Sequence, residues 1–285
     1  MIFVMKDGIE LQGILKKPKG NGSFPAVIFL HSSSGMGDYG EWTEYLSKSG
    51  FVGVAYARRG FPFGHGPPNK AIRFRDYIFK DIDDLKSVIK ELKNLLFVGN
   101  APLCVIGVSE GAQIAYLASS QIPGLCAVVG VCGITDYLDW YKWAVTKYPG
   151  YPVLQYKNVP KSVAKIFGGT PSVCRDRYLA LSPIHHVEQI SCPVMIVQGD
   201  KDPQIPVRQT YQFAKALRDS GKTYELFIYP NEGHFQSCFS IPNFGTGPGS
   251  RWLKSQIWTE KNSQDLTVRI NIFLNKYLSR REIKI

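Results

Sequence analysis

"PLCVIGVSEGAQIAYLASS", Pro102 to Ser120, changes character in its middle. Up to Val108 it is a continuous apolar run rich in β-branched residues, which reads as a buried strand. From Glu110 onward it is alanine-rich and reads as a helix. The two meet at Ser109, which Gly107 and Gly111 flank. A residue without Cβ lets neighbouring backbone come close, so the two glycines permit a sharp turn there. The helix start then aims free N–H groups and the positive end of its dipole at whatever sits beside the serine. "GVSEG" fits G-x-S-x-G, the pattern of a nucleophilic serine held on a strained strand-to-helix turn. Five residues match by chance often enough that the rest of the chain must supply partners.

Outward from this turn the same alternation continues. "LQGILKKP" follows the turn "KDG", and "PAVIFLH", "FVGVAYA", "LCAVVGVCG", "PVMIVQGD" and "YELFIYP" read as further strands. Helices are predicted over "EWTEYLSKSG", over "DYIFKDIDDLKSVIKELKNL", over "VRQTYQFAKALRDSG" and over the C-terminal "DLTVRINIFLNKYL". In the second of these, Ile78, Ile82, Leu85, Val88, Ile89 and Leu92 recur at three-and-four spacing, the mark of an amphipathic helix. Apolar strands alternating with such helices imply a mostly parallel sheet covered on both faces. Ligands then bind beyond the carboxyl ends of the strands.

Two further residues fall at such ends. In "VMIVQGDKDPQIP" Asp202 comes three residues after Gly199, with Asp200 a competing acid. In "YELFIYPNEGHF" His234 stands just past the next strand. A serine hydroxyl needs a base, and the base needs an acid to orient it. The chain order Ser109, Asp202, His234 is the order such a triad takes when the serine sits on this kind of turn. Each alone has a plainer reading: a turn aspartate before Pro203, a solvated loop histidine. Their coincidence at three strand ends outweighs those readings.

With these residues in place, the chain resembles the α/β-hydrolase superfamily, and within it the prolyl oligopeptidase and dienelactone hydrolase-like branch. The resemblance rests on "DGIELQGILKKP", "PAVIFLHSSSG", "ARRGF", "GVSEG", "LSPIHHVEQISCPVMIVQGDKDPQIP" and "IYPNEGHF", and spans nearly the whole chain. It implies an α/β-hydrolase fold formed as one domain over residues 1–285, with no β-propeller. An aromatic-rich excursion at about 133–190 and a long loop at about 235–258 would overhang the site. It also implies two backbone donors for an oxyanion. One is the N–H of Glu110, the other an N–H in the loop after "VIFLH". There the family commonly has His-Gly-Gly and this chain has "HSSSG", so the second donor is Ser32 or Ser33, with Ser32 preferred within His31–Ser34. His31 is expected to brace that loop. Ala57 and Arg58 stand where an acidic residue is usual, and Arg58 or Arg59 reads as an ion-paired arginine or as a seat for a substrate carboxylate. His65, His185 and His186 have no matching partner and read as structural.

Composition narrows the classes. The net charge of +11 comes from scattered basic residues, with short groups such as "KKPK" and "SRREIK" and no stripe or nucleic-acid motif. It reads as a solubility feature, with attraction of anionic substrates a minor role. The six cysteines show no CxxC pairing, so no metal is expected and the thiols read as reduced. "MIFVMKDGIELQG" lacks a basic start and a sustained apolar run, and no stretch approaches a membrane span, which favours a cytoplasmic location. The expectation is therefore a cofactor-independent serine hydrolase that cleaves small carboxylic esters through an acyl-enzyme on Ser109, with a homo-oligomer left open. A peptidase releasing N-terminal residues is the rival enzyme. A non-catalytic binding protein on the same fold is the rival of another class.

Overall fold

The computed structural model describes residues 1–33, 40–61, 77–147, 159–234 and 258–278. Its centre is a sheet of eight strands: β1 (Ile2–Val4), β2 (Glu10–Lys16), β3 (Ala26–Leu30), β4 (Val52–Tyr56), β5 (Leu103–Val108), β6 (Ala127–Val131), β7 (Val194–Gly199) and β8 (Tyr224–Tyr229). They lie in the order β1-β2-β4-β3-β5-β6-β7-β8. β1 runs antiparallel to β2, and β2 to β4; every other neighbouring pair is parallel. The continuous apolar runs follow from this. β3, β4, β5, β6 and β7 are buried at every residue because helices cover both faces. β8, at the sheet edge, is mostly half-buried.

One face is covered by α1 (Gly40–Lys48) and α8 (Glu260–Leu278), which pack Trp42, Leu46, Ile270 and Phe273 against Val27, Phe29, Cys104 and Met195. The other face is covered by α2 (Tyr77–Lys93), α3 (Glu110–Gln121) and α7 (Val207–Asp219), with Leu85, Leu117 and Phe213 against Ile28, Val105 and Ile196. The six periodic positions predicted for α2 are all buried. Each such side chain contributes about 1.5–3 kcal/mol of transfer free energy, so that stripe fixes which side of α2 meets the sheet.

The excursion after β6 forms α4 (Tyr137–Lys147), α5 (Val159–Phe167), α6 (Arg175–Ala180) and a 3-10 segment at Pro183–Gln189. Its aromatics hold it together: Tyr137 meets Phe167 with ring centres 4.9 Å apart, and Phe167 meets Tyr178 at 4.4 Å. Trp140 Nε1 donates to the Gln204 carbonyl at 2.9 Å, which ties α4 to the loop after β7. Of the long loop expected at about 235–258, residues 235–257 lie outside the described residues, as does most of the Gly/Pro-rich stretch after Arg59. No described helix is long and apolar enough to cross a membrane.

Candidate active site

The turn between β5 and α3 is as tight as the sequence requires. A Cβ on Gly107 would stand 2.0 Å from the Gly111 carbonyl oxygen, and one on Gly111 would stand 2.2 Å from that of Leu30. Neither position accepts a side chain. Ser109 takes φ 55° and ψ −119°, a conformation that L residues other than glycine rarely adopt. Its N–H donates to the Val131 carbonyl at 2.8 Å. Strain of about 1–3 kcal/mol held at one residue this way recurs where geometry serves chemistry.

The loops after β7 and β8 bring the other two residues to it. His234 Nε2 lies 3.0 Å from Ser109 Oγ, and His234 Nδ1 lies 2.7 Å from Asp202 Oδ2. A carboxylate only accepts, so Nδ1 carries the proton and Nε2 is free to accept the serine's. Asp202 is held rigidly. Its Oδ1 accepts the N–H groups of Gln204 and Ile205 at 2.8 and 2.9 Å, and its Oδ2 accepts Gln198 Nε2 at 2.7 Å. Asp200 serves a different purpose, accepting the Asn231 N–H at 2.6 Å in the turn that precedes His234. Gln198 was missed by the sequence reading. A glutamine near the end of an otherwise apolar strand-like run, four residues before the acid, was the available signal.

Beyond β3, His31 is fully buried. Its Nε2 accepts the Arg58 N–H at 2.9 Å, so its Nδ1 donates to the Ser32 carbonyl at 2.7 Å. Burial, and then the Arg58 charge, push its pKa from 6.5 down to about 3. The ring is a neutral brace, as expected. Because a trans peptide sets N–H opposite C=O, fixing the Ser32 carbonyl on His31 turns the Ser33 N–H the other way. Ser33 lines the cavity beside Ser109 and Glu110, and Ser32 does not. Ser34 lies outside the described residues.

Arg58 and Arg59 point inward. Arg58 is fully buried and grips Asp81 with Nε at 2.9 Å and Nη2 at 2.6 Å, Glu110 Oε2 at 3.0 Å and the His31 carbonyl at 3.1 Å. Arg59 pairs with Asp84 and Asp7. Both are committed to ion pairs, which removes them as seats for a substrate carboxylate. Burial, opposed by Arg58, raises the Asp81 pKa to about 6. His186 Nε2 lies 3.2 Å from the Ala180 carbonyl, away from the triad, His185 is exposed, and His65 lies outside the described residues.

A cavity of about 310 Å³ opens over Ser109. Phe61, Tyr77, Tyr137, Trp140, Val163 and Ile166 make its wall mostly apolar, and α4 and α5 supply the last four. Among the described residues one group has metal-ligand geometry: Cys132 Sγ with Asp202 and His234, within 4.8 Å of one another. Two of its three members are already bonded to each other, so we read it as part of the acid–base pair. The five described cysteines are free thiols.

Strand order, helices on both faces and a serine turn at the centre of the sheet define an α/β-hydrolase fold, and the enzyme is of the serine hydrolase type. The chain belongs to the prolyl oligopeptidase family, whose profile matches residues 40–244. It is 23% identical over 238 residues to the uncharacterized peptidase YtmA of Bacillus subtilis (strain 168), covering 82% of this chain and 85% of that one. A puromycin-hydrolyzing peptidase of Mycobacterium tuberculosis superposes with a TM-score of 0.77 at 18% identity; the match covers 98% of this chain and 39% of that one. An esterase of Pyrococcus furiosus superposes with a TM-score of 0.67 at 20% identity, covering 98% and 90%. At these identities the two superpositions speak for the fold.

Proposed function

We propose that the protein hydrolyses carboxylic esters through an acyl-enzyme on Ser109. The observation that carries this reading is the unbroken chain from Asp202 through His234 to Ser109 Oγ, at 2.7 and 3.0 Å. His234 takes the serine proton as Oγ attacks the acyl carbonyl and returns it to the leaving alcohol, while Asp202 holds the ring and stabilises its charged form. The N–H groups of Glu110, at the start of α3, and of Ser33 receive the oxyanion. Water then repeats the sequence and frees the acid. A cytoplasmic setting suits its free thiols.

Ser109→Ala is expected to cut p-nitrophenyl ester turnover by at least roughly 10⁴-fold and to abolish labelling by a fluorophosphonate probe, with the circular-dichroism spectrum unchanged. Labelling that survives the substitution would overturn the assignment. The second reading is a peptidase, which the peptidases among its relatives favour. Turnover of aminoacyl-anilides beside the matching esters separates the two, and faster cleavage of the anilides would decide for the peptidase.

A further inference from the structure

The charge around the nucleophile does not balance. One guanidinium, Arg58, faces two carboxylates, Asp81 and Glu110, at 2.6 and 3.0 Å. Among the described residues this leaves one more negative than positive charge beside Ser109. The two signs are also unequally placed. The Arg58 side chain is fully buried behind the wall, whereas the Glu110 side chain keeps 13% of its surface and lines the cavity. A bound molecule therefore meets the carboxylate and not the guanidinium. Glu110 Oε1 accepts the Tyr77 hydroxyl at 2.8 Å and Oε2 accepts Arg58, and each oxygen has a second lone pair for a further donor. No basic residue is among the described residues of the lining. Phe61, Tyr77, Tyr137 and Trp140 supply π faces, which attract cations as well as apolar groups.

We propose that Glu110 seats a protonated amine next to the scissile carbonyl, so that the preferred substrates carry an α-amino acyl group with its amine free. This rests on the Ser109 reaction proposed above and narrows its substrate class. Glu110 directly follows Ser109, so an ammonium one carbon from the attacked carbonyl is delivered to its side. The hydrophobic remainder of the acyl group fills the aromatic and aliphatic wall of the cavity. An acyl group with a carboxylate at the same place meets Glu110 as a like charge, and N-acylation removes the ammonium. The bonds made and broken are those of ordinary ester hydrolysis: the acyl passes to Ser109 Oγ, the alcohol leaves with the proton from His234, and water releases the amino acid.

The test compares L-phenylalanine methyl ester with methyl 3-phenylpropanoate and with N-acetyl-L-phenylalanine methyl ester, at about pH 6, well below the roughly 7.7 of a chain's α-amino group and low enough to protonate the more acidic ammonium of an amino ester. In the wild type, kcat/KM for the free-amine ester should exceed that for the des-amino ester by tenfold or more, the scale of a charge-assisted hydrogen bond. In Glu110→Gln, which leaves Arg58 paired with Asp81, that ratio should fall about tenfold. Using the ratio cancels whatever the variant costs both esters, and the variant comparison cancels the amine's own effect on ester reactivity. A ratio unchanged in Glu110→Gln, or a wild type that prefers the N-acetyl ester, overturns the proposal. If the variant does not fold, inhibition of the wild type decides: 2-phenylethylamine should bind at least ten times more tightly than 3-phenylpropanoate, and the reverse order overturns it. A wild type that hydrolyses none of these esters and takes no fluorophosphonate label would instead remove the serine hydrolase reading, and this one with it.

Discussion

At the scale of single residues, His31 links stability to pH. It is buried and neutral, donating to the Ser32 carbonyl and accepting from Arg58, with its pKa lowered to about 3. In the unfolded chain it takes a proton below about 6.5, whereas the folded chain refuses one until about 3, so the unfolded state binds more protons between those values. The stability it contributes is complete above 6.5 and is lost as pH falls towards 3, by up to roughly 1.4 kcal/mol per pH unit. The wild type should therefore lead His31→Gln in urea midpoint at pH 7.5, and that lead should shrink at pH 5. A lead that grows in acid would contradict the assignment of a neutral ring. The residues at the three strand ends were legible in sequence because each occupies a turn that constrains its neighbours. Tyr77 and Asp81 were not, because their partners lie on other elements and no local pattern announces a contact made across 23 to 33 positions.

At the scale of elements, α4 and α5 decide what the cavity holds. They place Tyr137, Trp140, Val163 and Ile166 over Ser109, while the ends of β5, β7 and β8 carry the proposed reacting groups. Size selection and chemistry are thus on separate parts of the chain. Val163→Phe should shrink the cavity and lower kcat/KM for p-nitrophenyl octanoate by about tenfold or more, while p-nitrophenyl acetate changes by less than about threefold. Equal losses on both esters would place Val163 outside the acyl path. The strands β3 to β7 were readable because full burial demands unbroken apolar runs, and β2 and β8 because turn residues bound them. The three-residue β1 was not, since Ile2 and Val4 are exposed at the sheet edge and its pairing with β2 is a long-range fact. The helices of the excursion were hidden for the opposite reason. In α4 the aromatics lie on several sides, because Tyr137 and Trp140 are buried while Tyr141 and Trp143 pack at the margin, and the helical period is blurred. The start of α8 was placed late because its polar first turn is fixed by Glu232, which accepts from Thr259 and Asn262 some thirty positions away.

At the scale of the whole molecule, two charges of opposite sign act at different distances. The chain carries a net charge of +11, while the cavity presents the Glu110 carboxylate. From the sequence, that net charge reads mainly as a solubility feature, with attraction of anionic substrates a minor role. The buried commitment of Arg58 and Arg59 makes the local and the distant fields disagree. A cationic substrate is repelled on approach and held on arrival. Salt weakens interactions beyond a Debye length, about 30 Å at 0.01 M and 8 Å at 0.15 M, and acts much less on a partly buried contact. Added salt therefore removes the repulsion before it removes the attraction. For L-phenylalanine methyl ester, kcat/KM should rise about two- to threefold between those two ionic strengths, while methyl 3-phenylpropanoate stays level. A free-amine ester whose kcat/KM falls over the same range would show that the field at the cavity mouth is already negative, with the basic residues turned to the far side of the sheet.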